Sequence, residues 1–490
     1  MRKTIPTLLL VAAALGVAVP SGAVPVCSDL AMGVNERCPV WTGTYNNPGG
    51  AGGDLEDTGF AVAVTPDATK VVVTGRSRDD ATDRDQATVA FNAATGATLW
   101  TARYDDGFGR YDVGSAVSAT DTRVFVTGRS QGEDGSYDWA TVAYDAATGV
   151  RLWAARVAGD EGLDDFSWTV VTSADGSTVY VGGGVDDGAE MPGDALVVAY
   201  DAATGDERWR ARYDSGFYDG GFRLFRSPGG DRLFLAGGTR RGNDSMNYLA
   251  LGIEAEDPEH LGDIVWSSFY ASGQGHDEIR GAALSPDGTR LVVTGYSISG
   301  VVLDVNTAAF DTADGSLAWS ARYNGTRNAG DEAGGVAIAA GNAVVTMKGA
   351  EGTAGFDYAT RAYDLATGAV VWTKYEGTPA TPDSAYAITA LGDAVYVTGY
   401  VPVPRGEIQP VFKIEPATMM TVSYDAATGN RRWIAQANNS GVGADIGVAI
   451  AAGGGKVYPA GTFATSGVYF YPVTQAKAYA WDYGVLAYPA

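Results

Sequence analysis

The chain has 490 residues, 46% hydrophobic and 19% charged, which is too long for one ordinary core and too apolar for a disordered chain. Its formal charge of −24 argues against a phosphate backbone or an anionic lipid surface as partner, and the plain reading of that charge is solubility outside the cell. Two histidines and two cysteines leave almost no material for a zinc centre or a Cys–His nucleophile.

Residues 1–23 read as a secretory signal. Arg2 and Lys3 open it, "TLLLVAAALGVAV" is its apolar segment and Ser21-Gly22-Ala23 its cleavage site. No later apolar run reaches the length of a membrane span. The expected product is soluble, without membrane insertion, secreted to the exterior or the cell envelope, and monomeric. Residues 24–38 form a tether in which Cys27 and Cys38 are expected to pair in an oxidising compartment.

From residue 39 to 490 the chain repeats. Trp41, Trp100, Trp153, Trp209, Trp266, Trp319, Trp372 and Trp433 head units of about 56 residues, close to the periods of propellers and arrays. After each Trp comes a loop, then an apolar run such as "AVAVTPD" (61–67) and a β-branched run such as "KVVVTG" (70–75). A polar loop and an alternating strand such as "ATVAF" (87–91) complete the unit, and no amphipathic helical pattern interrupts it. Four strands joined by hairpins, with Gly in the "DAATG" turn, predict an all-β fold: an eight-bladed β-propeller of four-stranded antiparallel blades. The chain opens on "PVWTGTYN" (39–46) and finishes on "DYGVLAYPA" (482–490), so the N-terminal strand should complete the last blade. The Trp residues, with Tyr45, Tyr104, Tyr213, Tyr270 and Tyr323 four positions on, are packing residues between blades.

The spacing A-x-D-x-x-T-G-x-x-x-W is met in full at Ala143–Trp153, Ala199–Trp209 and Ala362–Trp372. It is altered at Asn92, Asp314 and Ser423, and is lost between Glu254 and Trp266. It resembles the tryptophan-docking repeat of the quinoprotein dehydrogenase-like propellers. The resemblance implies the eight-bladed fold. Enzymes of that family hold pyrroloquinoline quinone beside Ca²⁺, commonly under a vicinal disulfide; others are non-catalytic scaffolds. This chain has no adjacent Cys pair and no C-x-x-C-H, so the scaffold branch is favoured, with no catalytic residue assigned and no quinone expected. Calcium is the one metal the acidic residues suit.

Each unit carries an Asp expected four residues ahead of its innermost strand: Asp57, Asp112, Asp165, Asp219, Asp277, Asp331, Asp383 and Asp445. A second Asp opens the third strand at Asp85, Asp138, Asp194, Asp304, Asp357 and Asp482, with Asn247 and Thr418 in the other two units. Both sets fall on one face. Such carboxylates either tie loops through backbone N–H groups or ligate Ca²⁺, and recurrence in every blade favours the first role. The clusters 78–85 and 186–194 are the better single calcium candidates. "GRSQG" (128–132) matches G-x-S-x-G but leaves a propeller strand for a polar loop, so it is read as chance. His260 lies in the aberrant hairpin and His276 beside Asp277.

Two loops are about ten residues longer than the rest, 401–420 and 463–481. They bring Arg405, Phe412, Tyr469, Phe470, Tyr471 and Trp481 to the acidic face, residue types that anchor interfaces. The expectation is a secreted binding or scaffold module for a protein or glycan partner, not nucleic acid. The alternatives are a quinone- and calcium-dependent dehydrogenase and an extracellular glycan-binding protein.

Overall fold

The computed structural model describes residues 37–490 apart from 47–56, 79–83, 108, 160–161, 187, 189–192, 242–244, 274, 301, 352–355, 378–382, 403–416, 438–444 and 471–476, and omits the side chains of 299 and 464–481. The described residues form 32 strands in eight four-stranded antiparallel sheets, with no helix among them. Strand β1 (Trp41–Tyr45) stands apart from its neighbours in sequence. The first blade is a meander of β2 (Asp57–Val64), β3 (Lys70–Arg78), β4 (Arg84–Asn92) and β5 (Thr98–Tyr104). Six more blades of the same order, β6–β29, run from Asp112 to Ala437.

The last blade has the order β1-β32-β31-β30, with β30 at Ile446–Gly453, β31 at Lys456–Phe470 and β32 at Lys477–Pro489. Here β1 pairs antiparallel with β32, Trp41 opposite Ala487 and Tyr45 opposite Tyr483, so the chain's first strand is the outer strand of its last blade. The ring is fastened to the first blade as well, where Trp41 Nε1 and Lys456 Nζ both donate to the carbonyl of Ala93, at 3.0 and 2.8 Å.

The recurring Trp motif is a joint between successive blades. The Trp on the outer strand of one blade packs on the Tyr of the next blade's "AYD" strand: Trp100 on Tyr144 at 6.1 Å, Trp153 on Tyr200 at 6.0 Å, Trp319 on Tyr363 at 5.9 Å and Trp372 on Tyr424 at 5.8 Å. Its indole N–H donates to a carbonyl in the same hairpin, Trp153 to Ala202 at 3.1 Å and Trp372 to Ala426 at 3.0 Å. The turn Gly is required twice over. Gly205 has φ +80°, and a Cβ there would lie 2.7 Å from the Trp153 ring. Thus A-Y-D-x-x-T-G is the surface that the preceding blade's Trp reads.

The seam explains the irregular joint at Trp433. The last blade's outer strand comes from the other end of the chain, so Trp433 meets no hairpin, and its Nε1 is buried without a partner among the described residues. Arg37 fills the gap instead. Its guanidinium lies 5.6 Å from the Trp433 ring, and its backbone N–H donates to the Ile434 carbonyl at 2.9 Å.

Candidate functional site

All eight Asp residues of the first set are buried, at 0–1% exposure. They stand at the first residue of the innermost strand or immediately before it, because those strands begin about four residues earlier than their apolar runs suggest. Asp331 takes N–H bonds from Gly325 at 2.6 Å and Ala350 at 2.5 Å. Asp165 does the same with Gly159 and, at 2.7 Å, Asp186. One donor comes from the incoming loop and the other from the end of the second strand, so each carboxylate ties two loops together. The Asp backbone adds a bond across the joint: the N–H of Asp165 donates to Tyr137 at 2.6 Å and that of Asp331 to Leu303 at 2.8 Å, both in the preceding blade. Burial outweighs the N–H donors and pushes the Asp165 carboxyl up to about 6. In this geometry Asp165 and Asp331 serve as joints, and Asp112, treated below, departs from their arrangement.

The second Asp set is largely consumed by arginine. Asp85 pairs with Arg103 and Asp138 with Arg156, both at 2.7 Å, and Asp194 pairs with Arg212 and Asp304 with Arg322. In each case the Arg lies 18 residues after the Asp, on the neighbouring outer strand. That fixed spacing was readable in the sequence and would have identified the pairs. Where no Arg stands at that spacing, as at Asp357 with Tyr375, no such pair exists.

The expected interface loops contribute little that can be described. Arg405, Phe412 and Tyr471 lie outside the described residues, as do most of 78–85 and 186–194. Tyr469, Phe470 and Trp481 lie on strands rather than in a loop: β31 and β32 continue past the blade, with Tyr469 opposite Ala478, Phe470 opposite Lys477 and Ala464 opposite Trp481. Their side chains lie outside the described residues, as does Cys27 and with it the expected Cys27–Cys38 bond. Ser130 of the G-x-S-x-G match is fully buried and held by Arg156 Nη1 at 2.9 Å, so it is no exposed nucleophile.

A different feature marks the channel. Every innermost strand carries one β-bulge at the same place, and the extra residues are Phe60, Ser115, Trp168, Phe222, Arg280, Gly334, Tyr386 and Val448. A bulge re-aims a side chain that regular pairing would bury. Accordingly Phe60, Trp168 and Tyr386 remain 37%, 37% and 42% exposed. Unlike the Trp and Asp positions, this one differs from blade to blade.

Three consecutive bulge residues, Trp168, Phe222 and Arg280, line a cavity of about 450 Å³ with Tyr218, Arg223, Arg240, Met246, His276, Glu278 and Ile279. Tyr218 and His276 are set there by the buried Asp219 and Asp277 that follow them. Three guanidinium groups face one carboxylate, so the cavity is cationic in a chain of charge −24. Glu278 is already engaged by the Tyr296 hydroxyl at 2.5 Å and by Arg280 at 3.3 Å. His276 accepts the Met246 N–H at Nδ1 (3.4 Å), which leaves Nε2 toward Glu278 at 3.8 Å.

Arg223 is the unusual member. Its side chain is exposed, and the protein around the cleft still desolvates it enough to lower its pKa. It donates to the Phe222 carbonyl at 2.9 Å and has no carboxylate partner among the described residues. Aromatic rings lead to it along the wall: Tyr111 to Tyr137 at 6.0 Å, Tyr137 to Phe166 at 6.3 Å, Phe166 to Trp168 at 5.9 Å and Trp168 to Phe222 at 6.3 Å. Arg129 lies over the first three, 4.8 Å from Tyr137. The arrangement offers π-faces and unneutralised positive charge side by side. A quinone with its Ca²⁺ does not fit this donor set, because the single lining carboxylate is already taken.

Comparison with known proteins agrees with the architecture. A family model described as "Outer membrane protein assembly factor BamB" matches residues 138–343 and, overlapping them, 252–446. No curated protein matches the sequence. Among solved structures, Chaetomium thermophilum Sqt1 bound to the N-terminus of ribosomal protein L10 is 14% identical with TM-score 0.56, over 93% of this chain and 100% of that one. A europium-containing methanol dehydrogenase is 12% identical with TM-score 0.50, over 92% and 93%. BamB from Moraxella catarrhalis is 13% identical with TM-score 0.45, over 86% and 93%. At these identities the structural likeness is one of fold alone. The family match spans well over half of the chain, which therefore belongs to the PQQ-like repeat propeller family described as outer membrane protein assembly factor BamB.

Proposed function

We propose that this propeller is an exported binding module whose channel cleft takes a flat organic anion. The observation that carries the reading is Arg223, a guanidinium lining the cleft without a carboxylate partner among the described residues, beside the rings of Phe222 and Trp168. An anionic ligand would neutralise a charge the fold leaves uncompensated, and its flat body would cover ring surface that solvent now touches. The leader-like 1–23 and the acidic composition support export, and an oxidising compartment would close Cys27–Cys38. The match to an assembly-factor family is in keeping with binding rather than turnover.

Trp168 supplies the readout, since it is 37% exposed in the cleft whereas Trp139 and Trp433 are buried. Titrating the full chain with planar aromatic di- and tricarboxylates should quench its fluorescence saturably. Arg223→Gln should weaken the interaction about tenfold or more, the usual loss when a charged hydrogen bond is removed. Failure of every compound to quench saturably, or equal binding by Arg223→Gln, would sink the proposal.

A further inference from the structure

The segment between β5 and β6 (Asp112–Ala119) reads Asp105-Asp106-Gly107-Phe108-Gly109-Arg110-Tyr111-Asp112 and joins the first blade to the second. Asp112 is 1% exposed, and among the described residues neither of its carboxylate oxygens meets a donor in hydrogen-bond geometry, the nearby Ser130 hydroxyl being directed to Asp106 instead. Its equivalents Asp165 and Asp331 each take two backbone N–H bonds, so Asp112 departs from an arrangement that other blades keep. What it faces is more negative charge: one oxygen each from Asp105, Asp106 and Asp112 lie within 4.8 Å of one another.

The existing contacts do not neutralise this group. Asp105 Oδ1 accepts the N–H groups of Gly107 at 3.0 Å and Gly109 at 3.2 Å, which fix its direction but add no positive charge. Asp106 Oδ2 takes Arg156 Nη1 at 2.6 Å and the Ser130 hydroxyl at 3.3 Å. Arg156 is shared with Asp138. One guanidinium shared among Asp106 and Asp138 cannot balance the three clustered carboxylates, and a buried carboxylate without a counter-ion is strongly disfavoured.

We propose that Asp105, Asp106 and Asp112 bind one calcium ion at this blade joint. The donors are all hard oxygens with no nitrogen or sulfur among them, which suits Ca²⁺ and not zinc or copper. A separation of up to 4.8 Å is what two oxygens on opposite sides of one ion show at about 2.3–2.6 Å each. The site lies at the joint, outside the channel cleft, and stands independently of the binding role proposed above. Its reach extends inward, because Tyr111 precedes Asp112 and its ring carries Arg129 at 5.3 Å and Tyr137 at 6.0 Å. Calcium here would hold the first ring of the aromatic wall.

The test uses the full chain stripped with chelator, then titrated calorimetrically with calcium chloride and, separately, with terbium chloride, whose emission is excited through Tyr104 and Tyr111. The expected affinity is that of extracellular calcium modules, about 10⁻⁴–10⁻³ M. Asp112→Asn should remove one equivalent of bound calcium and the sensitised emission. Asp105→Asn, half-buried in the connecting loop and keeping an oxygen for the Gly107 and Gly109 N–H groups, should weaken binding at least tenfold with little change in the unfolding temperature in chelator, and it decides the question alone if Asp112→Asn does not fold. No binding at millimolar calcium, or both variants binding as the parent does, would overturn the assignment.

Discussion

Replacing Trp153 by Phe tests whether the blade joints depend on the indole N–H as well as on ring burial. Trp153 lies between Phe125 at 5.9 Å and Tyr200 at 6.0 Å, and its Nε1 satisfies the buried Ala202 carbonyl. Trp433 lies between Tyr396 at 5.9 Å and Tyr488 at 5.5 Å, but its Nε1 has no partner among the described residues. The loss of apolar contact is therefore matched in the two Trp→Phe variants, and only one of them breaks a hydrogen bond. A bond of this kind contributes about 1 kcal/mol, and leaving its partner unsatisfied adds up to about another, so Trp153→Phe should cost about 1–2 kcal/mol more than Trp433→Phe. Urea unfolding followed by far-UV circular dichroism measures the difference, provided the slopes agree. Equal costs, or a larger cost at Trp433, would refute the claim that the motif acts through this bond.

Other consequences follow from the carboxylates. Arg322→Leu strands Asp304, whose side chain is wholly buried, and should destabilise by about 2–3 kcal/mol after allowing for the half-exposed arginine. Adding Asp304→Leu should restore most of that loss in the same unfolding assay. Asp165 has a folded-state pKa raised to about 6, so its contribution is complete below its ordinary value near 4 and is lost as pH rises through about 6. Between pH 4 and pH 6.5 the parent should therefore lose stability relative to Asp165→Asn, and parallel pH profiles would contradict the assignment.

Much of the ring was legible in the sequence because its period is carried by large residues with one role. The hairpin Gly beside a Trp ring cannot gain a Cβ without a clash, so Trp and Gly recur together, and blade number and the final strand exchange were readable from Trp41 to "DYGVLAYPA". The recurrence of Asp57 to Asp445 was legible too, but its start point was misplaced. The bulged residue breaks period-2 alternation inside each innermost strand, and only the apolar run beyond it looked like strand. The same break hid the cleft. Phe60, Trp168, Phe222 and Arg280 occupy one structural position but share no residue type, and a repeat analysis that looks for sameness passes over the position where blades differ. The Asp–Arg pairs were missed for another reason, since their 18-residue spacing recurs in only four units.

The most direct test of the central claim is the native mass spectrum of the full chain isolated from its own cells without dialysis, beside that of Arg223→Gln prepared in the same way. The account predicts a small anionic adduct on the parent protein and its loss from the variant, with both chains folded. An adduct retained by Arg223→Gln, or a bare polypeptide in both spectra, would contradict the assignment of the channel cleft as the binding site.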